Sequence, residues 1–570
     1  MSKNKDQFNV TEIEGSDDIS CSIRSLMLPC RDGVKLHTVI YFPPGLRKKA
    51  PVILRRSPYC QKTSLVPPDG WALKNGVVSI MQSCRGTSWS EGVFDPAERD
   101  TEKNDVEDLF RWLRKQDWFN GRCVMAGASY PGWVQWCAEW TGSPELVGVA
   151  PRVAPFFSCC GAAVKGGGAR LSFTEAWMLT MHHRCNFGWD SIPDYERNGL
   201  FRLLPVIEAD TKAGYGKLAP FRKFFGKAEH PDRQLGKAGK DFRLCKAPAY
   251  ISGGWFDPFK AETIESFQLM RTLAKTPEAR KYTKLIIGPW GHSGLLNPDL
   301  FGNECSYDSI GLEKLTMDYL GGLLNDPGKD PLPSEPAFRY YVLGENKWHS
   351  SESWPPKGVR ENRWFLHSGG NANSLTGDGG LDRRKPGREP ADVYVSDPDD
   401  PVLSNNGFHA ALGMYDRVPQ QRRPDVLVYT SPVFRQPLKV AGKVRLRFTA
   451  SASAKDTDFF AILTDVFPDG RAMYLTEGMI RARFRNGLDR EELLEPGKSY
   501  EFEIDLSHIA VTFQPGHAMR LEICGQNFPH FDRNANTGGR LLHDARLEKS
   551  VHTIYHDAAH PAELILPVLS

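Results

Sequence analysis

Short apolar runs alternate with helical patterns over the first half of the chain. Leu36–Tyr41, Val52–Leu54 and Val77–Met81 are compact runs rich in β-branched residues and read as strands. From Glu102 to Lys115, Val106, Leu109, Phe110 and Leu113 recur at i, i+3, i+4 and i+7, which marks one face of a helix. Val124-Met125-Ala126, Ala249-Tyr250-Ile251 and Leu285-Ile286-Ile287 are further apolar runs, each soon followed by glycine. Strands alternating with helices predict a mostly parallel sheet.

The pattern changes twice. Between about Phe156 and Lys240, a Gly166-Gly167-Gly168 turn precedes Phe173, Ala176, Trp177, Thr180 and Met181 at helical spacing, and a basic, glycine-spotted stretch runs from Lys212 to Lys240. This reads as a helical insertion, of the kind that forms lids over active sites. From about residue 345 the period becomes two. Val444, Leu446 and Phe448 alternate with Arg445 and Arg447, and Tyr500, Phe502 and Ile504 alternate with Glu501, Glu503 and Asp505. With turn signals such as Pro468-Asp469-Gly470, this predicts antiparallel β structure, a sandwich or jelly roll. There are no tandem repeats and no low-complexity segment.

Composition adds limits. A chain of 570 residues is long enough for two or three domains. A net charge of +3 gives no reason to expect nucleic acid or an anionic membrane as a partner. No run of 18 apolar residues predicts a membrane span. Met1 to Asp6 is polar, without the apolar stretch of a secretory signal. The 12 cysteines are scattered, with no CxxC pair, and are expected to be free thiols of a cytoplasmic protein. Cys159-Cys160 is expected to be a buried pair of small residues.

The chemistry is concentrated at Val124-Met125-Ala126-Gly127-Ala128-Ser129-Tyr130-Pro131-Gly132-Trp133. An apolar run enters a Gly-x-Ser-x-x-Gly turn and an apolar-aromatic helix leaves it. That is the pattern of a nucleophile elbow, in which small residues flank a serine held out at the end of a sheet, although the second glycine stands one place later than usual. An ordinary strand-to-helix turn with close-packing glycines has the same look. A serine nucleophile needs a base, and an acid to orient that base, in the chain order Ser…Asp/Glu…His. Asp257, in Gly253-Gly254-Trp255-Phe256-Asp257-Pro258, and His292, in Gly288-Pro289-Trp290-Gly291-His292-Ser293, both follow strand candidates in that order. Taken singly, each also reads as a turn aspartate or a loop histidine.

With these residues in view, the chain resembles the cocaine-esterase-like hydrolases, the group that includes α-amino-acid ester hydrolases, glutaryl-cephalosporin acylases and X-Pro dipeptidyl-peptidases. The resemblance spans nearly the whole chain. It rests on Arg56-Ser57-Pro58-Tyr59, Arg85-Gly86 with Ser90-Glu91-Gly92, Trp118-Phe119-Asn120-Gly121, and the elbow, acid and histidine segments above. Asp456-Thr457-Asp458-Phe459, Asp465-Val466-Phe467-Pro468-Asp469-Gly470 and Asn527-Phe528-Pro529 extend it. The resemblance implies an α/β-hydrolase domain with an inserted helical cap and a C-terminal jelly roll. The corresponding partition is 1–155 with 241–345, then 156–240, then 346–570. It implies Ser129 as nucleophile, His292 as base and then acid, and Asp257 as orienting carboxylate. The oxyanion hole it implies uses the backbone N–H of Tyr130 and the phenol of Tyr59.

Two departures bear on chemistry. Ser83 stands where the family commonly has an acid near Arg85, which alters a structural contact. The carboxylates that bind a substrate ammonium in the amino-acid ester hydrolases are replaced by Phe259 and Lys260, and Lys260 would repel a cation if it pointed inward. A neutral or aromatic acyl group is therefore ranked above an α-amino-acyl one, with Trp177 and Phe259 as candidate pocket residues. His552, His556 and His560 recur every four residues, but Val551, Thr553 and Ile554 favour strand over a metal-binding helix. His182-His183 is expected at the surface. No nucleotide or metalloprotease motif is present, so no cofactor is expected. The expectation is a serine esterase acting on a small-molecule ester. The alternatives are a dipeptidyl-peptidase or acylase acting on amides, and a non-catalytic protein that binds a ligand through the β domain.

Overall fold

The structure is a computed structural model that describes residues 11–14, 20–46, 48–60, 69–96, 98–156, 164–187, 199–228, 238–404 and 413–569. The expected Cys159-Cys160 pair lies outside the described residues. The N-terminal half forms a sheet whose centre is parallel, as the alternating pattern predicts. In spatial order, Val78–Ser83, Ala50–Ser57, Phe119–Ala128, Leu146–Arg152, Tyr250–Gly254, Lys284–Gly288 and Phe338–Val342 run parallel. Antiparallel strands close both edges, with Lys35–Phe42 and Ser20–Pro29 on one side and Lys347–Ser351 on the other. This sheet therefore runs past the boundary expected at 345, because Lys347–Ser351 folds back on Phe338–Val342 as a hairpin.

Helices cover both faces, which is why the central strands are apolar on each side. The helix Tyr130–Glu139 and the helix Arg99–Leu113 lie together on one face, and Leu312–Asn325 packs on the other against Phe119–Ala128 and Leu146–Arg152. Val106, Leu109, Phe110 and Leu113 are buried as their spacing requires. Glu102, Asp105 and Asp108 are buried beside them, which the apolar period alone did not foretell.

The insertion is helical: Leu171–Phe187, Ala219–Ala228 and Ala238–Phe242. Gly166 and Gly167 form the tight turn between two short strands, Val164–Lys165 and Gly168–Ala169. The stretch from Lys212, read in sequence as basic and glycine-spotted, contains an amphipathic helix that buries Phe221, Phe224 and Phe225.

The C-terminal region is almost wholly antiparallel β. Leu438–Ala452 pairs with Tyr500–Phe513, with Val444, Leu446, Phe448, Phe502 and Ile504 inside. The hairpin Asp458–Val466/Ala472–Arg481 turns at Gly470, whose φ is +91°. His552, His556 and His560 do not converge. His552 faces Tyr394 Oη at 2.8 Å, His556 faces Asp392 at 2.9 Å, and His560 faces Asp557 at 3.1 Å. Among the described residues no group of histidine, cysteine and carboxylate side chains is placed to hold a metal ion.

The β domain grips the root of the insertion. Arg481, almost wholly buried, forms paired hydrogen bonds to Asp458 at 2.8 Å and reaches Asp532 at 3.0 Å. Asp532 accepts from the Ala169 N–H at 2.7 Å, and the Arg481 N–H donates to the Gly166 carbonyl at 2.8 Å. Removing one partner of a buried ion pair costs about 3 kcal/mol because the other charge is stranded. Asp532→Ala should therefore lower the stability measured by urea unfolding by about 3 kcal/mol. An unchanged midpoint would show that this tie carries nothing.

Candidate active site

The strand Phe119–Ala128 ends at Ser129, whose backbone sits at φ +62° and ψ −127°. A non-glycine residue there costs on the order of 1–3 kcal/mol and persists only when its surroundings impose it. Here the Ser129 N–H is held by the Arg152 carbonyl at 2.9 Å, and the Ser129 carbonyl accepts from the N–H groups of Gly132 and Trp133 at 2.8 and 3.0 Å. The displaced glycine has a steric cause. A Cβ on Gly132 would lie 2.6 Å from the Ala154 Cβ and 3.2 Å from the Arg152 carbonyl. A Cβ on Gly127 would lie 2.6 Å from the Pro131 Cβ. The turn thus closes only if both flanks lack side chains.

Asp257 and His292 follow the strands Tyr250–Gly254 and Lys284–Gly288, which neighbour each other in the sheet. His292 Nε2 is 3.0 Å from Ser129 Oγ, and His292 Nδ1 is 2.7 Å from Asp257 Oδ2. With Nδ1–H donating to the carboxylate, Nε2 is left to accept from the serine hydroxyl. Asp257 is 4% exposed, and its other oxygen accepts from the Phe259 N–H at 2.7 Å. The ring of His292 is flanked edge-on by Phe259 and Phe173.

A cleft of about 370 Å³, part of it open to solvent, lies at Ser129. Tyr59, Trp177 and Phe259, all singled out in the sequence, line it together with Phe173 and Phe224. The Trp177 Nε1–H donates to the Tyr59 hydroxyl at 3.2 Å. Tyr130 is the first residue of the helix Tyr130–Glu139, so its N–H lies at the positive end of the helix dipole. Its side-chain hydroxyl donates to Glu102 at 2.9 Å. Glu102 in turn holds the wholly buried Arg56 at 2.9 Å, and Arg56 also donates to Gln82 at 2.8 Å. Burial raises the Glu102 carboxyl, and Arg56 opposes that shift.

Lys260 does not point into the cleft. Phe259 takes the inward place, and Lys260 is directed to the β domain, where it donates to Thr476 Oγ1 at 3.2 Å. Repulsion of a substrate cation by Lys260 is therefore not a feature of this site. Arg85, without an acid at position 83, pairs instead with Asp105 at 2.6 Å and Asp32 at 2.7 Å. Phe173 and Phe224 join the expected pocket residues Trp177 and Phe259. Phe173 lies four residues before Trp177 on the same helix face, and that spacing was the available signal. The His182 ring packs edge-on toward Tyr215.

A family model described as X-Pro dipeptidyl-peptidase (S15 family) matches residues 32–294, and one described as the X-Pro dipeptidyl-peptidase C-terminal non-catalytic domain matches residues 333–565. Cocaine esterase of Rhodococcus sp. (strain MB1 Bresler) is 31% identical over 598 residues, covering 98% of this chain and 100% of that protein. Among solved structures, an aminopeptidase from a marine sediment archaeon, Thaumarchaeota archaeon, superposes with a TM-score of 0.81 at 24% identity, covering 100% of this chain and 99% of that one. An α-amino acid ester hydrolase superposes with a TM-score of 0.78 at 23% identity, covering 98% of each chain.

The elbow sterics are testable with two glycines. Gly132→Ala should move the helix off the strand Leu146–Arg152, destabilise the protein by about 1–3 kcal/mol and cut turnover at least tenfold. Gly226→Ala, in a helix where an added Cβ meets nothing within 4 Å, should be neutral or stabilising by up to about 1 kcal/mol. Equal effects in denaturation and turnover assays would refute the steric account.

Proposed function

The chain belongs to the cocaine-esterase-like serine hydrolases, and from that premise we propose that Ser129, His292 and Asp257 are its catalytic triad, with Tyr59 and the Tyr130 N–H as oxyanion hole. The protein is a hydrolase of carboxylic esters. The observation that carries the assignment is the unbroken hydrogen-bonded line from Ser129 Oγ through His292 to Asp257, at 3.0 and 2.7 Å.

Ser129 Oγ attacks the ester carbonyl while His292 Nε2 takes its proton. Asp257, shielded from water, holds the imidazole by Nδ1–H and stabilises the cation that forms. The charge that develops on the carbonyl oxygen is met by the Tyr59 hydroxyl and the Tyr130 N–H. A fixed donor in such a place contributes about 3 kcal/mol. His292 then gives its proton to the leaving alcohol, and water repeats the sequence on the acyl-enzyme.

The acyl group is neutral and aromatic. The rings of Phe173, Trp177, Phe224 and Phe259 supply an apolar wall, and no carboxylate is among the described residues that line the cleft. An α-ammonium would be desolvated there without a partner, which is costly. The same argument ranks a dipeptidyl substrate below an ester. The partition into 1–155 with 241–345, 156–240 and 346–570 goes with this reading, with the sheet of the first part extended to Ser351. A reducing, cytoplasmic setting is supported by the free thiols of Cys21, Cys30, Cys60, Cys84, Cys123, Cys137, Cys245, Cys305 and Cys524. No helix among the described residues is long and apolar enough to cross a membrane.

Matched substrates separate the readings. The 4-nitrophenyl ester of benzoic acid should exceed both alanine 4-nitrophenyl ester and glycyl-prolyl 4-nitroanilide in kcat/KM by at least a hundredfold. A preference for the anilide would establish the amide-cleaving alternative instead. Asp257→Asn should lower kcat by about 10⁴. Tyr59→Phe should lower it by about 10²–10³ with little change in KM, and an unchanged kcat in Tyr59→Phe would remove that residue from the oxyanion hole.

A further inference from the structure

The hydrogen-bonded line from Ser129 through His292 to Asp257 continues beyond the acid. The peptide group that joins Pro258 to Phe259 carries one donor and one acceptor. Its N–H, on Phe259, donates to Asp257 Oδ1 at 2.7 Å. Its carbonyl, on Pro258, accepts from Arg170 Nη1 at 2.7 Å. Arg170 is 6% exposed. A guanidinium is always charged and donates from a rigid plane. A peptide set between it and a carboxylate is polarised in the sense that strengthens both hydrogen bonds. The peptide is planar, so it cannot turn without losing both.

Arg170 is itself anchored from the β domain. It follows the short strand Gly168–Ala169 and precedes the helix Leu171–Phe187. The Ala169 N–H donates to the Asp532 carboxylate at 2.7 Å, and the Ala169 carbonyl accepts from the Asp532 N–H at 2.8 Å. The Ser172 N–H donates to the Pro529 carbonyl at 2.9 Å. The backbone on either side of Arg170 is therefore fixed by the segment Pro529–Asp532. A counter-charge for the guanidinium stands on the helix that follows the acid-bearing turn. This is the buried Glu262, whose carboxyl is raised by burial, a shift that Arg170 opposes.

We propose that Arg170 is a positioning residue of the triad, fixing the Pro258–Phe259 peptide so that its N–H holds the Asp257 carboxylate toward His292. This role rests on the assignment of Ser129, His292 and Asp257 made above. Through Pro529–Asp532 and Arg170, the β domain then takes part in placing the acid.

Turnover of 4-nitrophenyl benzoate in a double-mutant cycle with Asp257→Ala tests the role, with each rate referred to the folded fraction found by urea unfolding. Arg170→Met should lower kcat about tenfold and move KM by less than about twofold, because the carboxylate serves the transition state and not substrate binding. Arg170→Lys, which keeps a charged donor, should recover most of that loss. In Asp257→Ala, which has no carboxylate to place, Arg170→Met should change kcat by less than about twofold. Should Arg170→Met not fold, Arg170→Gln, neutral and shorter, takes its place in the same cycle. A wild-type kcat in the Arg170 variant, or a loss that persists undiminished in Asp257→Ala, would overturn the positioning role. A wild-type kcat in Asp257→Ala alone would overturn the triad assignment instead.

Discussion

The site depends on the backbone of Ser129. A φ of +62° with ψ at −127° aims the serine hydroxyl off the end of the sheet, toward the loops after the strands Tyr250–Gly254 and Lys284–Gly288. Nothing in the serine itself favours that conformation. It is imposed by the Arg152 carbonyl on one side and by the first turn of the helix on the other. It is permitted because Gly127 and Gly132 leave room for the backbone to pass. The histidine and the aspartate then need only be placed by adjacent parallel strands, whose common direction brings both loops to the same edge.

A second constraint supports the first from behind. Arg56, on the strand that leads to Tyr59, is bound to Glu102, and Glu102 accepts from the Tyr130 hydroxyl. The two residues assigned to the oxyanion hole are thereby tied to one buried ion pair. This gives the Arg-x-x-Tyr spacing of Arg56 and Tyr59 a physical reason. It also accounts for acidic residues on the buried face of the helix Arg99–Leu113. Such a pair contributes more to geometry than to net stability, because the desolvation of both charges offsets most of their attraction.

The parts legible in the sequence were those governed by local rules. Period two and period 3.6 marked the strands and helices, and the small residues around Ser129 marked the elbow. Chain order then led to Asp257 and His292. The parts that were not legible depend on which way a side chain turns within the fold. Phe259 and Lys260 are adjacent at the start of a helix, where successive side chains diverge by about 100°, so one lines the acyl cleft and the other faces the β domain. Phe224 belongs to a helix hidden by its lysines and glycine. The burial of Glu102 and Asp105 requires Arg56 and Arg85, which come from other strand ends and leave no mark on the helix's own pattern. The hairpin to Ser351 lies where the sequence already reads as β and so cannot announce which sheet it joins.

The central claim is that the strained serine is the nucleophile. Incubation with an aryl fluorophosphonate, followed by peptide mass mapping, tests it most directly. The account predicts one phosphonyl group per chain, located on Ser129 and absent from Ser129→Ala. Labelling at another residue, or labelling that persists in Ser129→Ala, would contradict it.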